Sequence, residues 1–356
     1  MLRHLLLPRL IVAALAGAGP MTGASASAAV RWNEINRQPA AWYAGDESRA
    51  IAASIVQYQS PPGGWTKNTD MTRPPSAAFL AGQRDATIDN GATTTQVRYL
   101  AQVLTAQDDP VLRAAFERGF DYLLAAQYDN GGWPQYFPLR PGYYTHITYN
   151  DNAMVSVLAI LREAARGQAP FALVDAARRA KAAAAVERGI ACILRTQVKQ
   201  DGRLTAWCAQ HDETTLAPAP ARNFEPVSLS GSESVGLTRF LMGVEQPTAE
   251  IIAAIEGAVA WFQAVQIKGL RVEDFTGAGG QRDRRAVADP AAPPLWARFY
   301  ELGTNRPIYL GRDKVIRYDF NEIEQERRAG YSYLSDWPAN LLAKDYPRWR
   351  AKNKLP

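Results

Sequence analysis

Apolar side chains recur along this chain at intervals of three and four residues, the spacing that lines one face of an α-helix. One stretch carries a start signal as well. Asp109 stands where a cap is needed, Pro110 takes the first turn, and Leu112, Phe116, Phe120, Leu123 and Leu124 follow at helical spacing, which predicts a helix running to about Gln127. Similar patterns predict helices over about 47–58, 92–105, 151–166, 174–197, 232–243 and 249–266. Strand-like alternation is rare and short, so the expected class is all-α.

The helices repeat. QYQSPPGGW begins at Gln57, QYDNGGW at Gln127 and QVKQDGRLTAW at Gln197, so the glutamines are 70 residues apart in both intervals. Each closes a helix and is followed by a Gly-containing turn and a tryptophan: Trp65, Trp133 and Trp207. Between these turns, TIDNGATTTQVRYL, TYNDNAMVSVLAIL and SLSGSESVGLTRFL open a second set of helices. Each unit is then a helical hairpin, and hairpins unable to bury their apolar faces alone must stack into a solenoid or a closed ring. The long, polar, aromatic-rich loops favour the ring, an α/α toroid with a cleft at one end. From about residue 267 the period is lost and Arg, Asp, Pro and Tyr accumulate. That tail is expected to form loops and a final helix near 335–344, packed on the same ring within one domain spanning 29–356.

The first 28 residues have a different character. MLRHLLLPRLIVAALAGAG carries Arg3 and Arg9, then about ten apolar residues and the small-residue stretch GASASAAV. The apolar run is shorter than the roughly 18–20 residues needed to span a bilayer, so it reads as a signal peptide cleaved after Ala26 or Ala28, and the product as a secreted or periplasmic protein without a membrane partner. Its loss removes two arginines and no acid, lowering the formal charge from +5 to +3. That mild excess permits a polyanionic substrate, but no basic run interleaved with aromatics argues for nucleic acid. Cys192 and Cys208 are either buried thiols or a disulfide. Only His146 and His211 remain after cleavage, which excludes a three-histidine zinc site and argues against a histidine-centred triad.

Two groups of residues carry candidate chemistry. Asp89 and Asn90 precede ATTTQV, and Asp151 and Asn152 precede AMVSVL, in positions the sequence pairs with one another. A helix N-cap accounts for one such residue per helix. It does not account for the repetition. In a ring of hairpins, equivalent inner-helix starts converge on one rim, where Asp89 and Asp151 would reach a common ion; carboxylate and amide oxygens suit Ca²⁺ rather than zinc or copper. The same pair equally suits the acid and nucleophile of a glycosidase. Within THITYNDNAM, one oxygen is expected to cap the helix, Asp151 to face the ion, and the remaining amide to orient it or touch sugar. The second group is arginine-rich: Arg222, Arg298 and Arg312, with Arg306 and Arg317 nearby, sit among aromatics and prolines in segments without helical period. Such loops suit sugar rings and their carboxylates, and Lys67 after the first GGW turn adds a cation to the same rim.

In this order, GGWTKNTDM, TIDNGATTTQVRYL, QYDNGGWPQYFP, HITYNDNAM, ARNFEPVSLSGSESVG, WARFYELGTNRPIYLGRD and GYSYLSDWP resemble the family 10 polysaccharide lyases, which are pectate lyases, over about residues 45–340. The resemblance implies an α/α toroid, cleavage of polygalacturonate by β-elimination, and a Ca²⁺ bridge between enzyme and substrate carboxylate. It implies Asp89 and Asp151 at the calcium, Arg222 as proton abstractor, and Arg298, Arg312 and Lys67 as substrate clamps. Asn90 and Asn152 are expected to contact substrate, and the chain is expected to act as a monomer. An arginine base conflicts with the ordinary rule that arginine stays protonated, its reference pKa lying above about 12. Neighbouring cations and desolvation would have to lower it.

Three other readings compete. A glycoside hydrolase on the same ring would use Asp89 and Asp151 as its acid pair. A terpene cyclase shares the Q-x-x-x-G-x-W spacing of QYDNGGW, but no Asp-x-Asp-Asp motif occurs and an exported enzyme lacks isoprenoid substrate. A carbohydrate-binding module would carry the acids without turnover.

Overall fold

The fold is known from a computed structural model that describes residues 29–355; the signal peptide expected over 1–28 lies outside the described residues. The helical periodicity is realised closely. Helices α1 (Asp46–Tyr58), α2 (Ala77–Ala81), α3 (Thr94–Ala106), α4 (Pro110–Ala125), α5 (Ala153–Ala165), α6 (Ala176–Thr196), α7 (Glu233–Met242) and α8 (Ala249–Ala264) follow in chain order. The pairs α3–α4, α5–α6 and α7–α8 form hairpins; α3, α5 and α7 pack side by side, and so do α1, α4, α6 and α8. The result is an incomplete α/α toroid.

Burial separates the two layers. On α6 the buried residues are Ala182, Ala185, Val186, Gly189, Cys192, Ile193 and Thr196, a single stripe at helical spacing. On α5 they include Ala153, Met154, Val157, Leu158, Ile160, Leu161 and Ala164, which wrap further round the helix because α5 has neighbours on several sides. Helix starts differ in the same way. The outer helices α4, α6 and α8 are capped by side chains, though α1 is not: Asp109 accepts from the backbone of Val111 and Leu112, Asp175 from Arg178, and Thr248 from Ile251. In the inner helices α3, α5 and α7 the N-cap residue itself makes no side-chain cap. The expected cap in the Asn150–Asn152 run is therefore absent, which leaves its oxygens free for other partners.

The connectors show where the repeat truly falls. The side chain of Gln127 donates to the carbonyl of Gly131 in its own turn and to that of Ala185 on the next outer helix. Gln197 does the same with Thr205 and Ala254. In the first unit the staple is Gln59, which reaches Gly63 and Ala115, whereas Gln57 bonds only to Ala53 within its own helix. Gln57 is thus the wrong counterpart, and the 70-residue interval from it is a coincidence of two nearby glutamines. The tryptophans do match: Trp65, Trp133 and Trp207 are fully buried, and each indole donates to a carbonyl of the preceding outer helix or its end, Ile55, Leu123 and Ile193. Gly131 must be glycine, with φ +92° and a hypothetical Cβ only 2.1 Å from the Arg188 carbonyl oxygen.

The tail departs from expectation in two places. Leu270–Thr276 and Arg282–Ala288 form an antiparallel hairpin rather than loops. Its sequence hides it because cross-strand ion pairs, Arg285 with the facing Glu273 and Arg282 diagonally with Asp274, stand in place of alternating apolar residues. The hairpin packs on α9 (Gln325–Gly330). The final helix begins only after Ser335 has paired with Trp296 in a two-residue bridge; it passes through a π segment, Leu341–Asp345, into α10 (Tyr346–Lys352), whose Pro347 lacks the N–H a regular ladder needs. Cys192 and Cys208 are separate buried thiols, so the disulfide alternative falls. Among the described residues no helix is long and apolar enough to cross a membrane.

Candidate active site

Two short turns at the inner-helix starts frame a cavity of about 140 Å³. The first is held between its own connector and the next: Thr87 N–H donates to Trp65 O, and Ile88 N–H to Gln135 O. The second repeats the scheme, Thr148 N–H donating to Trp133 O, and both Tyr149 and Asn150 N–H to Ala209 O. Backbone angles fix the correspondence within them. Asn90 and Asp151 both lie in the left-handed region, at φ 51° and 50°, followed by Gly91 at 74° and Asn152 at 59°. Asp89 is therefore equivalent to Asn150, and Asn90 to Asp151. The sequence pairing of Asp89 with Asp151 is off by one position, because it aligned like residues rather than like conformations.

The two carboxylates nonetheless line one cavity, together with Lys67, Asn68, Asn90, Gln135, Tyr143, Asn150, Gln210, Arg222 and Glu225. Asp89 is buried; its Oδ2 accepts from Lys67 Nζ at 2.5 Å and Gln135 Nε2 at 2.5 Å, while its Oδ1 has no partner. Burial works against the Lys67 ammonium, but the contact with Asp89 outweighs it and raises the lysine pKa. Asp151 is more open. Its Oδ2 accepts from Asn150 Nδ2 at 2.8 Å and its Oδ1 from Arg298 Nη2 at 3.0 Å. One amide of the NDN run does orient Asp151, as expected, and it is Asn150. Asn90 lines the cavity and donates to Asn68 Oδ1 at 2.9 Å. Asn152 does not line it; its Oδ1 lies against Gly236 of α7, so the substrate contact expected of it is not built here.

The arginines divide. Arg298 is buried, with its guanidinium 4.8 Å from the Tyr331 ring and bonded to Asp151 and to the buried Glu233. Burial opposes its charge, yet Glu233, Tyr331 and Asp151 together raise its pKa. Arg222 lines the cavity and forms a two-pronged ion pair with buried Glu225, Nε to Oε2 at 2.9 Å, over the Phe224 ring at 4.8 Å. Tyr331 OH completes Glu225 at 3.0 Å. The hydrogen bond to Glu225 raises the Arg222 pKa, against burial; for Glu225 burial is the larger single influence, but the bonds and charge of Arg222 overcome it and lower that pKa. The pairing opposes the neutral form that proton abstraction needs. Arg312 stands outside the cavity, exposed, paired with Glu326 and 5.7 Å from the same Phe224 ring. Arg306 over Tyr318 and Arg317 on Asp313 do not line the cavity.

The two histidines take no part in lining it. His211 is fully buried, donates Nδ1–H to Leu216 O and accepts Cys208 N–H at Nε2, which fixes a neutral ring with its pKa pushed down to about 4 by burial. His146 meets Glu213 at 3.0 Å, with Asp212 beside them. A larger concavity of about 870 Å³ lies outside the ring between Gln200–Thr205 and α8, away from these groups.

The sequence profile described as pectic acid lyase matches residues 59–342. The chain belongs to the pectic acid lyase family. Two solved structures of a family 10 polysaccharide lyase from Cellvibrio cellulosa are similar to it. One, an alanine variant in complex with trigalacturonic acid, is 34% identical at TM-score 0.75, the match covering 90% of this chain and 98% of that one. The other has the same identity and TM-score, covering 91% and 98%. No protein of curated function matches the chain. The chain is thus an enzyme, a polysaccharide lyase.

Within this pectic acid lyase several site residues gave no signal as chemistry. Gln135 and Asn68 lie in the quoted motifs but carry no charge, and Tyr143 falls just outside them, before THITYNDNAM. Glu225 was visible as the acid three residues after Arg222 in ARNFEP, and Glu233 as the acid of SLSGSESVG; only their burial reveals them.

Proposed function

We propose that the enzyme cleaves polygalacturonate by Ca²⁺-assisted β-elimination at the Asp89–Asp151 cavity, releasing 4,5-unsaturated oligogalacturonides. The observation that carries this reading is the convergence of both acidic turns and Arg222 on one cavity, in a chain similar to a lyase crystallised with trigalacturonic acid. The donors fit a hard cation. Asp151 keeps its carboxylate at the cavity, Asp89 Oδ1 is a buried acceptor without a partner, and the surrounding ligands are amide and carboxylate oxygens with no sulfur. Asp151 would hold the ion, with Asp89 contributing Oδ1 directly or through water. A bound Ca²⁺ draws electron density from the uronate carboxylate and so acidifies the neighbouring C5 proton.

The chain's own residues supply the rest. Lys67 lines the cavity and Arg298 lies behind Asp151; their fixed positive charges would favour a uronate carboxylate there and stabilise the negative charge that develops as the C5 proton leaves. Arg312, exposed outside the cavity near Phe224, suits a carboxylate farther along the polymer. Arg222 takes the proton. Because Glu225 favours its charged form, only a minor neutral fraction is available, and the rate should climb into the alkaline range. The C4 oxygen then departs and no water is added. A hydrolase would need one aspartate as proton donor; here each is engaged by a cation, an arrangement suited to charge stabilisation. The leader over 1–28 supports export to the periplasm or medium, with the enzyme working as a monomer; the mature N-terminus and the sedimentation coefficient of the exported protein test both points.

The test is incubation with polygalacturonate at alkaline pH. Absorbance in the near ultraviolet should rise, stop on adding EDTA and recover with excess Ca²⁺. New reducing ends without that absorbance would mean hydrolysis and overturn the reading.

A further inference from the structure

Glu233 has no part in the elimination as derived so far. It opens α7 with 2% exposure and does not line the cavity. One carboxylate oxygen accepts from Ser230 Oγ, which in turn accepts the backbone N–H groups of Ser232 and Glu233. The other accepts from Arg298 Nη2, the same nitrogen that reaches Asp151 Oδ1 at 3.0 Å and Asn150 Oδ1 at 3.4 Å. Arg298 is itself buried beneath Tyr331, and its Nε has no partner. A carboxylate so deeply placed is costly unless its charge is used.

Its charge alters the balance around the ion. Lys67 faces Asp89, Arg222 faces Glu225, and Arg298 faces both Asp151 and Glu233. Were Arg298 paired with Asp151 alone, the cluster would be neutral and the carboxylate nearest the proposed ion would be cancelled by its own neighbour. With Glu233 behind the guanidinium, one negative charge is left over, and Asp151 is where it meets the cavity. We propose that Glu233 is a positioning residue for metal binding: it neutralises and anchors Arg298 from the buried side, so that Asp151 presents a net anionic carboxylate to the divalent cation. This rests on the Ca²⁺-assisted reading above.

Glu233→Gln tests it, since the amide oxygen retains an acceptor for Arg298 while the charge is removed, with only the neutral Ser230 hydrogen bond lost. Calcium binding is measured by calorimetry in the presence of trigalacturonate, alongside the Ca²⁺ dependence of activity. The variant should bind Ca²⁺ about tenfold more weakly, the consequence of losing one unit charge close to the site, with the rate largely restored at saturating Ca²⁺. The double variant Glu233→Gln/Arg298→Gln removes both charges together, and its Ca²⁺ affinity should return towards that of the native enzyme even though substrate handling is impaired. Equal Ca²⁺ affinity in native enzyme and Glu233→Gln, or a rate loss that Ca²⁺ does not repair, would overturn the proposal, as would a double variant weaker than the single one. If the native enzyme needs no divalent cation, the preceding reading fails; if it does and Glu233→Gln leaves affinity unmoved, only this inference fails.

Discussion

The first and second inner-helix starts use one backbone turn to opposite effect. In the first, the carboxylate stands one residue earlier, at Asp89, where it is 5% exposed and met by Lys67 and Gln135. In the second it stands on the left-handed residue itself, at Asp151, and is 39% exposed. A shift of one position along the same turn turns a buried ion pair into a more open carboxylate on the cavity wall. The repeat thus supplies the scaffold twice, and the placement of the charge within it decides which carboxylate closes on the protein and which stays open to the cavity.

Removing either charge should therefore have different consequences. Asp151→Asn should lower kcat/KM by on the order of 10³-fold, because it removes the open anionic ligand, while leaving the melting temperature close to native. Comparable stability loss in this variant would erase the distinction. Acid should separate the turns next. The second turn leans on the Ile147–Thr148 pairing with Gln210–His211, and the His211 pKa of about 4 lies below its ordinary value of 6.5. The unfolded chain binds that proton first, so stability present above pH 6.5 is lost as pH falls towards 4, by up to about 3 kcal/mol for this group. Urea unfolding at pH 7.5 and 4.5 measures it, and His211→Gln should flatten the difference. The first turn, braced by Trp65 and Gln135, has no such group.

Asp89→Asn comes next in size. It leaves Lys67 facing an amide in a half-buried site and should cost about 2 kcal/mol in unfolding free energy, with activity falling as well. Stability equal to native would show that the first carboxylate is no more structural than the second. The smallest effect tests the same register argument on the outer layer: Gln59→Ala should cost about 1–2 kcal/mol by removing the amide that ties the Gly63 and Ala115 carbonyls together, and Gln57→Ala less than about 0.5 kcal/mol. Equal costs would return Gln57 to the repeat.

Much of this was legible because helical periodicity depends on single-residue hydrophobicity, which the chain states openly from α1 to α8. The rim residues Asp89, Asp151, Arg222 and Lys67 were legible as charges in unusual company, and the family resemblance named them. What escaped needed three dimensions. The equivalence of Asn90 with Asp151 is a fact of φ angles. Gln59 rather than Gln57 is a fact of which carbonyl lies within reach. The 270–288 hairpin is held by cross-strand ion pairs that leave no apolar alternation, and the cap expected from Asn150–Asn152 is missing because those side chains serve Asp151 and pack against α7 instead.

The most direct test is a crystal structure of a Arg222→Lys variant with Ca²⁺ and trigalacturonate. The account predicts a cation bonded to an Asp151 oxygen at about 2.3–2.6 Å, with Asp89 Oδ1 or its bound water on the same ion and Lys67 still on Oδ2. A cation found instead beside His146, Asp212 and Glu213, with Asp151 turned wholly onto Arg298, would contradict it.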